Sequence, residues 1–129
     1  MNKHFLIWGF SFGFLAVVLG AFGAHSLKSI LNQESLESFQ TGVRYQMYHA
    51  LLLLLIGTRK ELQSKLIFYF LVIGVMLFSF SIYLLAIRSV VHIEQLVYLG
   101  PITPIGGSLL IVAWFLLALK ATKIVSEKS

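Results

Sequence analysis

The side chains best suited to chemistry in this chain fall into pairs that are four residues apart. Tyr45 precedes His49 by this interval, and Ser79 precedes Tyr83 by the same interval. On a helix the spacing places both members of a pair on one face, so their polar groups could converge on one pocket. Such a pocket could bind a lipid headgroup or a small ligand. The candidate ligand-binding residues are His25, Arg44, Tyr45, His49, Ser79 and Tyr83.

Metal or haem chemistry would depend on only two histidines. His25 and His49 should lie at similar depth on adjacent helices, and two histidines are enough to ligate a haem. A zinc site needs three or four ligands, and no His-x-x-x-His motif or carboxylate-rich spacing accompanies this pair. The sequence therefore predicts no metal site and no cofactor, and haem binding stays an alternative.

Enzymatic chemistry has little support in the sequence. The chain contains no cysteine, which excludes thiolate nucleophiles, thiolate metal sites and disulfides. No Ser-His-acid arrangement can be assembled, because every carboxylate lies outside the long apolar runs. The acidic residues are Glu34, Glu37, Glu61, Glu94 and Glu127. We expect a non-enzymatic protein.

The elements that must position these side chains are four apolar runs at residues 5–24, 45–57, 66–87 and 102–119. A helix needs about 20 residues to cross a hydrocarbon core about 30 Å thick. The second run is shorter, but helical continuation upstream through Phe39 would complete a crossing. The sequence predicts one domain, residues 1–129, with four transmembrane helices.

Composition and charge agree with a membrane protein. Hydrophobic residues make up 58% of the chain and charged residues 12%, and the mean hydropathy is +0.89. The net charge of +5 is explained by loop orientation, so no nucleic-acid partner is implied. The side that holds both termini carries Lys3, Arg59, Lys60, Lys65, Lys120, Lys123 and Lys128, against Lys28, Arg44 and Arg88 on the other. The positive-inside rule then places both termini in the cytoplasm.

With this topology, the candidate site residues gather toward the outer ends of the helices. Their structural interpretation is that Tyr and His act as interfacial anchors, or bond to one another and hold the helices together. Arg44, nearer the surface, could extend its charge into the headgroup region. The sequence leaves the ligand-binding and the structural interpretations open.

Small residues recur along the first run at steps of four, three, four and three: Gly9, Gly13, Ala16, Gly20 and Gly23. A face of small residues lets membrane helices approach closely. The alternative is that the first run is a cleaved signal peptide, but its apolar length exceeds the usual signal core. The stripe favours a first helix that stays in the bundle.

The start of the second helix and the start of the fourth are marked by different residues. Ser35 is predicted as the N-cap of the second helix, with residues 26–34 as the connection.

The turn that leads into the fourth helix is predicted to be shaped by Pro101, Pro104, Gly106 and Gly107. They could instead break that helix, as in a small transporter, which is the alternative function together with haem binding.

Four short runs, taken together and in this order, resemble those of the YgdD/YwdK-like small membrane proteins. They are LGAFGAH at 19–25, YQMYHAL at 45–51, LFS at 77–79 and LGPITPIGG at 99–107. The resemblance implies a four-span bacterial inner-membrane protein, and it supplies no reaction, substrate or cofactor. Phe80 departs from the pattern, which has a small residue there, and this argues against close packing at that point.

These observations define one expectation. The chain should form an all-α, antiparallel four-helix bundle in the bacterial plasma (inner) membrane, with both termini cytoplasmic. Its outer-side polar cluster should bind a lipid, a small ligand or a partner protein. Membrane lipids, a second copy of the chain or another membrane protein are the expected partners.

Overall fold

The computed structural model describes residues 2–128, and within them the chain is helical without any strand. Four long helices make up the fold. They are α1 (Lys3–Leu27), α2 (Gln33–Gly57), α3 (Lys65–Ile87) and α4 (Ile102–Lys128). The predicted all-α class is confirmed.

Three of these helices are long and apolar enough to cross a membrane. They are α1, α3 and the segment Glu94–Lys128, in which a short 3-10 helix leads into α4. Helix α2 has 25 residues, which is enough for a crossing, but its first half carries many polar side chains. A membrane protein is therefore confirmed, while a fourth crossing stays a prediction.

The connections alternate between the two ends of the fold because successive helices run in opposite directions. Residues 28–32 and 88–101 lie at one end, which we call the connection end. Residues 58–64 lie at the other, together with the start of α1 at Lys3 and the end of α4 at Lys128, and we call it the termini end. There, Arg59 bonds to Glu61 at 2.6 Å. Hydrogen bonds from the backbone N–H of Glu61 and from Arg59 lower the pKa of that carboxyl.

Helix α2 begins one turn earlier than the sequence predicts. The side chain of Asn32 accepts a hydrogen bond from the backbone N–H of Ser35 at 2.7 Å, which is the bond that defines an N-cap. The prediction of Ser35 as the cap is therefore wrong, since Ser35 is the third residue of the helix. The connection before it is residues 28–32, not 26–34.

The small-residue stripe of α1 packs against another helix, as predicted, and that helix is α2. A Cβ added at Gly9 would lie 2.7 Å from the side chain of Leu54, and one at Gly20 would lie 3.1 Å from that of Val43. One at Gly13 would reach only ordinary contact with Ala50, at 3.8 Å. The stripe is a packing seam, and its tightest point is Gly9.

A second seam joins α3 to α4, and its closest approach is between backbones. A Cβ added at Gly106 would lie 2.4 Å from the backbone nitrogen of Phe78 and 2.9 Å from the carbonyl oxygen of Gly74. Helix α3 has a π-helical turn here, Met76–Phe80. Helix α4 runs unbroken from Ile102 through Pro104 and Gly107. Gly106 thus permits a helix crossing inside α4, rather than shaping a turn before it.

Candidate functional site

Gln46, a fully buried polar side chain, links three helices. It is 0% exposed, and its Nε2 donates to the carbonyl oxygen of Phe12 at 2.8 Å. Its Oε1 accepts a hydrogen bond from the hydroxyl of Tyr83 at 2.7 Å. Both ends of the amide are therefore used to join α2 to α1 and to α3.

The serines of α3 also bond across helix interfaces. The Ser79 hydroxyl donates to the carbonyl oxygen of Gly42 in α2 at 2.8 Å. Ser81 shares a hydrogen bond with Thr103 of α4 at 2.6 Å, and it also donates to the carbonyl oxygen of Phe78. Ser79, Tyr83 and Gln46 form one group, which we call the interhelical polar core.

His49 belongs to a second group. The indole N–H of Trp114 in α4 donates to Nε2 of His49 at 2.9 Å, and Nδ1 lies 2.6 Å from the carbonyl oxygen of Tyr45. An indole N–H can only donate and a carbonyl can only accept, so this geometry requires a neutral imidazole with its proton on Nδ1. Both ring nitrogens are occupied by protein partners, and His49 acts as a bridge between α2 and α4.

The aromatic ring of Tyr45 lies beside this pair. Its centroid is 5.1 Å from that of Phe78, and Tyr45 is 41% exposed. With Trp114 and Gly107 these side chains line a mostly apolar cleft of about 320 Å³ on the outside of the bundle. Arg44 is exposed, and its Nη2 donates to Thr41 one turn away at 3.0 Å.

The structure does not place His25 at the depth of His49. Ala50 packs against Gly13, so the neighbouring His49 is level with Phe14 of α1. His25 lies eleven residues farther along α1, which at 1.5 Å per residue is about 16 Å. The prediction that His25 and His49 share one depth is wrong, and the bis-histidine haem alternative loses its geometry. Residues 2–128 contain no group of three or more His, Asp or Glu side chains placed to hold a metal ion.

A different group of side chains lines a cleft at the connection end, between the start of α2, the end of α3 and the start of α4. We call it the polar cleft, and its volume is about 450 Å³. Its polar lining residues are Asn32, Glu34, Ser35, Ser38, Arg88 and Thr103. The sequence analysis missed it, because these residues lie outside the apolar runs or at their margins.

The two charged residues of the polar cleft do not neutralise each other. Arg88 donates from Nη1 to the carbonyl oxygen of Leu85 at 3.0 Å, and Glu34 is exposed in the first turn of α2. Across the described residues, the one salt bridge is Arg59 with Glu61. A cation and a carboxylate therefore border the same cleft, with space between them.

Helices of this length and hydropathy, held together by buried interhelical hydrogen bonds, define a small helical membrane protein. Comparison with known proteins then gives the family. Residues 19–107 match the family model described as "Protein of unknown function (DUF423)", and the chain belongs to that family. The predicted resemblance is confirmed.

Relatives align over nearly the whole chain. The chain is 36% identical over 126 residues to the UPF0382 membrane protein YwdK of Bacillus subtilis, covering 94% of this chain and 98% of the relative. It is 38% identical to a UPF0382 membrane protein of Staphylococcus saprophyticus, covering 95% and 99%. It is 32% identical to the UPF0382 inner membrane protein YgdD of Escherichia coli, covering 95% and 92%. No solved structure matches the chain.

Proposed function

We propose that this chain is a non-enzymatic bacterial inner-membrane protein that crosses the membrane four times, with both termini in the cytoplasm. Helix α2 lies between α1 and α3 and bonds to both through Gln46. We infer that a helix held in this way between two apolar spans lies in the bilayer beside them. The buried polar groups of α2 are satisfied by neighbouring helices, as the bilayer requires.

The absence of an enzymatic role is supported by what the intramembrane polar groups already do. The hydroxyl of Ser79, the amide of Gln46 and the imidazole of His49 each bond to a neighbouring helix or to the backbone. A nucleophile or general base needs a free position toward its substrate. These groups form hydrogen bonds that join the helices. This supports the structural interpretation of the predicted cluster over the ligand-binding one.

We assign ligand binding to the polar cleft, which would face the outside in this topology. The observation that carries this proposal is that Arg88 and Glu34 border one cleft of about 450 Å³ without an ion pair to each other. Such an arrangement fits a ligand with one anionic and one ammonium group. A guanidinium binds phosphate or carboxylate well, and Glu34 would accept from the ammonium. The ligand is therefore a zwitterionic lipid headgroup or a soluble zwitterion of the same chemistry.

Two assays separate these sources. Native mass spectrometry of the protein extracted from the membrane tests for a retained phosphatidylethanolamine molecule, and an absorbance spectrum recorded with it would reveal any chromophore. A thermal-shift assay with soluble phosphoethanolamine tests for the free zwitterion. A retained lipid supports the headgroup, and a raised Tm with phosphoethanolamine but without retained lipid supports the soluble ligand.

The substitution Arg88→Gln should abolish whichever signal is found. Arg44→Gln is the control, since Arg44 is an exposed arginine that does not line the polar cleft and that donates to the nearby Thr41 hydroxyl. An equal loss in both variants, or no signal with either probe, would refute ligand binding in the polar cleft. It would leave the four-span topology untouched.

A further inference from the structure

At the termini end, a groove separates α1 from α3 along the outside of the bundle. The two helices meet there through aromatic side chains, with the ring of Phe68 packed edge-on against that of Phe5 at 5.1 Å. The groove between them has a volume of about 630 Å³. It is larger than the polar cleft, and it lies at the opposite end of the bundle.

The walls of this groove are apolar and its mouth is polar. Trp8, Phe68, Tyr69, Ile73 and Met76 line its length, while Asn2, His4 and Lys65 lie at its mouth. Several wall residues are accessible from outside, with Tyr69 55% exposed, Ile73 43% and Met76 38%. In a membrane, this surface opens toward the lipid.

The length of the groove matches half of a bilayer. From Lys65 at the mouth to Met76 at the far end, α3 advances eleven residues, or about 16 Å. One leaflet of a hydrocarbon core about 30 Å thick is about 15 Å deep. An acyl chain that enters at the surface would therefore end near Met76, where the π-helical turn begins.

The charge at the mouth selects the headgroup. Lys65 begins α3 and Asn2 caps α1, so the positive ends of two helix dipoles point to the same place as the ammonium of Lys65. No acidic side chain is among the described residues that line the groove, and the carboxylate of Glu61 in the preceding connection is bonded to Arg59 at 2.6 Å, so the mouth is cationic. Phosphate is the group that such an arrangement favours.

We propose that this groove holds one anionic phospholipid, with its phosphate at Lys65 and an acyl chain between α1 and α3. In the proposed topology this lipid belongs to the cytoplasmic leaflet. The proposal needs only a membrane-inserted chain, and it does not depend on ligand binding in the polar cleft.

Tryptophan fluorescence can test the groove directly, because the chain has two tryptophans and only Trp8 lines it. The full chain carrying Trp114→Phe, so that Trp8 is the reporter, would be reconstituted in dioleoylphosphatidylcholine vesicles. Brominated phosphatidylglycerol or brominated phosphatidylcholine is then added at equal mole fractions. We expect Trp8 to show a binding preference for the anionic lipid of about fivefold, the size expected for one basic side chain at a membrane surface.

Three comparisons locate the effect. Lys65→Gln should remove most of the preference, while Lys123→Gln, which removes a charge at the same end but borders a separate cleft between α3 and α4, should keep it. With Trp8→Phe, so that the exposed Trp114 reports, the two lipids should quench equally. Equal quenching of Trp8 by both lipids, an equal preference at Trp114, or equal losses in the two lysine variants would overturn the proposal.

Discussion

The buried polar side chains of this protein are tied to one another more completely than their sequence spacing suggests. Gln46 uses its amide nitrogen and its amide oxygen on two different helices. No buried side-chain nitrogen or oxygen in the described part of the chain lacks a hydrogen-bond partner. An unsatisfied polar group in hydrocarbon costs free energy, so the buried hydrogen bonds of Gln46, Ser79 and Tyr83 help to specify how the helices pack.

We predict that Tyr83→Phe lowers the free energy of unfolding by about 0.6 to 1.7 kcal/mol, the range measured for interhelical hydrogen bonds in membranes. Gln46→Leu removes two such bonds and should cost about twice as much. Unfolding in mixed detergent and dodecyl sulfate micelles measures both. Tyr48→Phe is the control, because Tyr48 is 54% exposed. Equal stability of the Tyr48 and Tyr83 variants would contradict the interhelical role.

The His49 and Trp114 side chains should be energetically coupled. We predict that a double-mutant cycle of His49→Ala and Trp114→Phe gives a coupling energy of about 0.6 kcal/mol or more, since each single change removes the same hydrogen bond. Strictly additive losses in stability would show that the bond contributes nothing. Retention of a stoichiometric ligand that disappears in His49→Ala would instead restore the ligand-binding interpretation.

At the scale of the helices, glycines decide how closely the elements approach, and they are not equivalent. In the stripe of α1, a Cβ at Gly9 would lie 2.7 Å from the Leu54 side chain and 3.0 Å from the backbone oxygen of Ala50, whereas one at Gly13 would make only ordinary contact. In the second seam, Gly106 of α4 meets the backbone of α3. A side chain can move aside, whereas two packed backbones cannot, so Gly106 tolerates substitution least.

We predict opposite signs for alanine at these positions. Gly106→Ala should destabilise the protein, because its Cβ would lie 2.4 Å from a backbone nitrogen of α3 and the helices must separate. Gly13→Ala should be neutral or stabilising by up to about 1 kcal/mol, because alanine favours the helix and the space is sufficient. Detergent melting temperatures measure both, with Val18→Leu as a lipid-facing control. A destabilised Gly13→Ala variant together with an unchanged Gly106→Ala variant would contradict the prediction, because it would mean that the α1–α2 seam tolerates an added Cβ less well than the α3–α4 seam.

The elements themselves were largely predictable, but their contacts were less so. Four apolar runs gave four helices because hydropathy and length are local properties, and the spacing of glycines gave the α1 seam because it depends on a single helix. The Gly74 and Gly106 crossing was missed, since it requires the register between two helices. Phe80 is expected to mark looser packing. Its ring lies 6.4 Å from that of Phe12 in α1, while the closest approach of α3 to α4 is at Gly74, Leu77 and Phe78.

The candidate site was predicted less well for the same physical reason. The position of His25 at the end of an apolar run predicts the same depth as His49. The register of α1 against α2 instead separates the two residues by about 16 Å along the helix axis. Trp114 was absent from the candidates because it lies in the middle of an apolar run. Arg88 and Glu34 border the polar cleft only because α3 ends at the place where α2 and α4 begin.

For the whole molecule, charge and packing together determine which way the bundle faces. Seven basic residues accompany the termini end, Lys28 and Arg88 accompany the connection end, and Arg44 lies near the middle of α2. Since short loops rich in Lys and Arg stay in the cytoplasm, the polar cleft would open to the outside. The lipid groove would then open to the cytoplasmic leaflet, where anionic headgroups meet Lys65.

Cysteine labelling in intact cells tests this orientation, because the chain has no cysteine of its own. Single cysteines at Lys3, Gln33, Glu61, Glu94 and Lys128 sample both ends and three connections. A membrane-impermeant maleimide should label only Gln33→Cys and Glu94→Cys, and all five should react after the cells are lysed. If α2 failed to cross, Gln33 and Glu61 would lie on the same side. Labelling of Lys128→Cys from outside would invert the bundle and place the polar cleft in the cytoplasm.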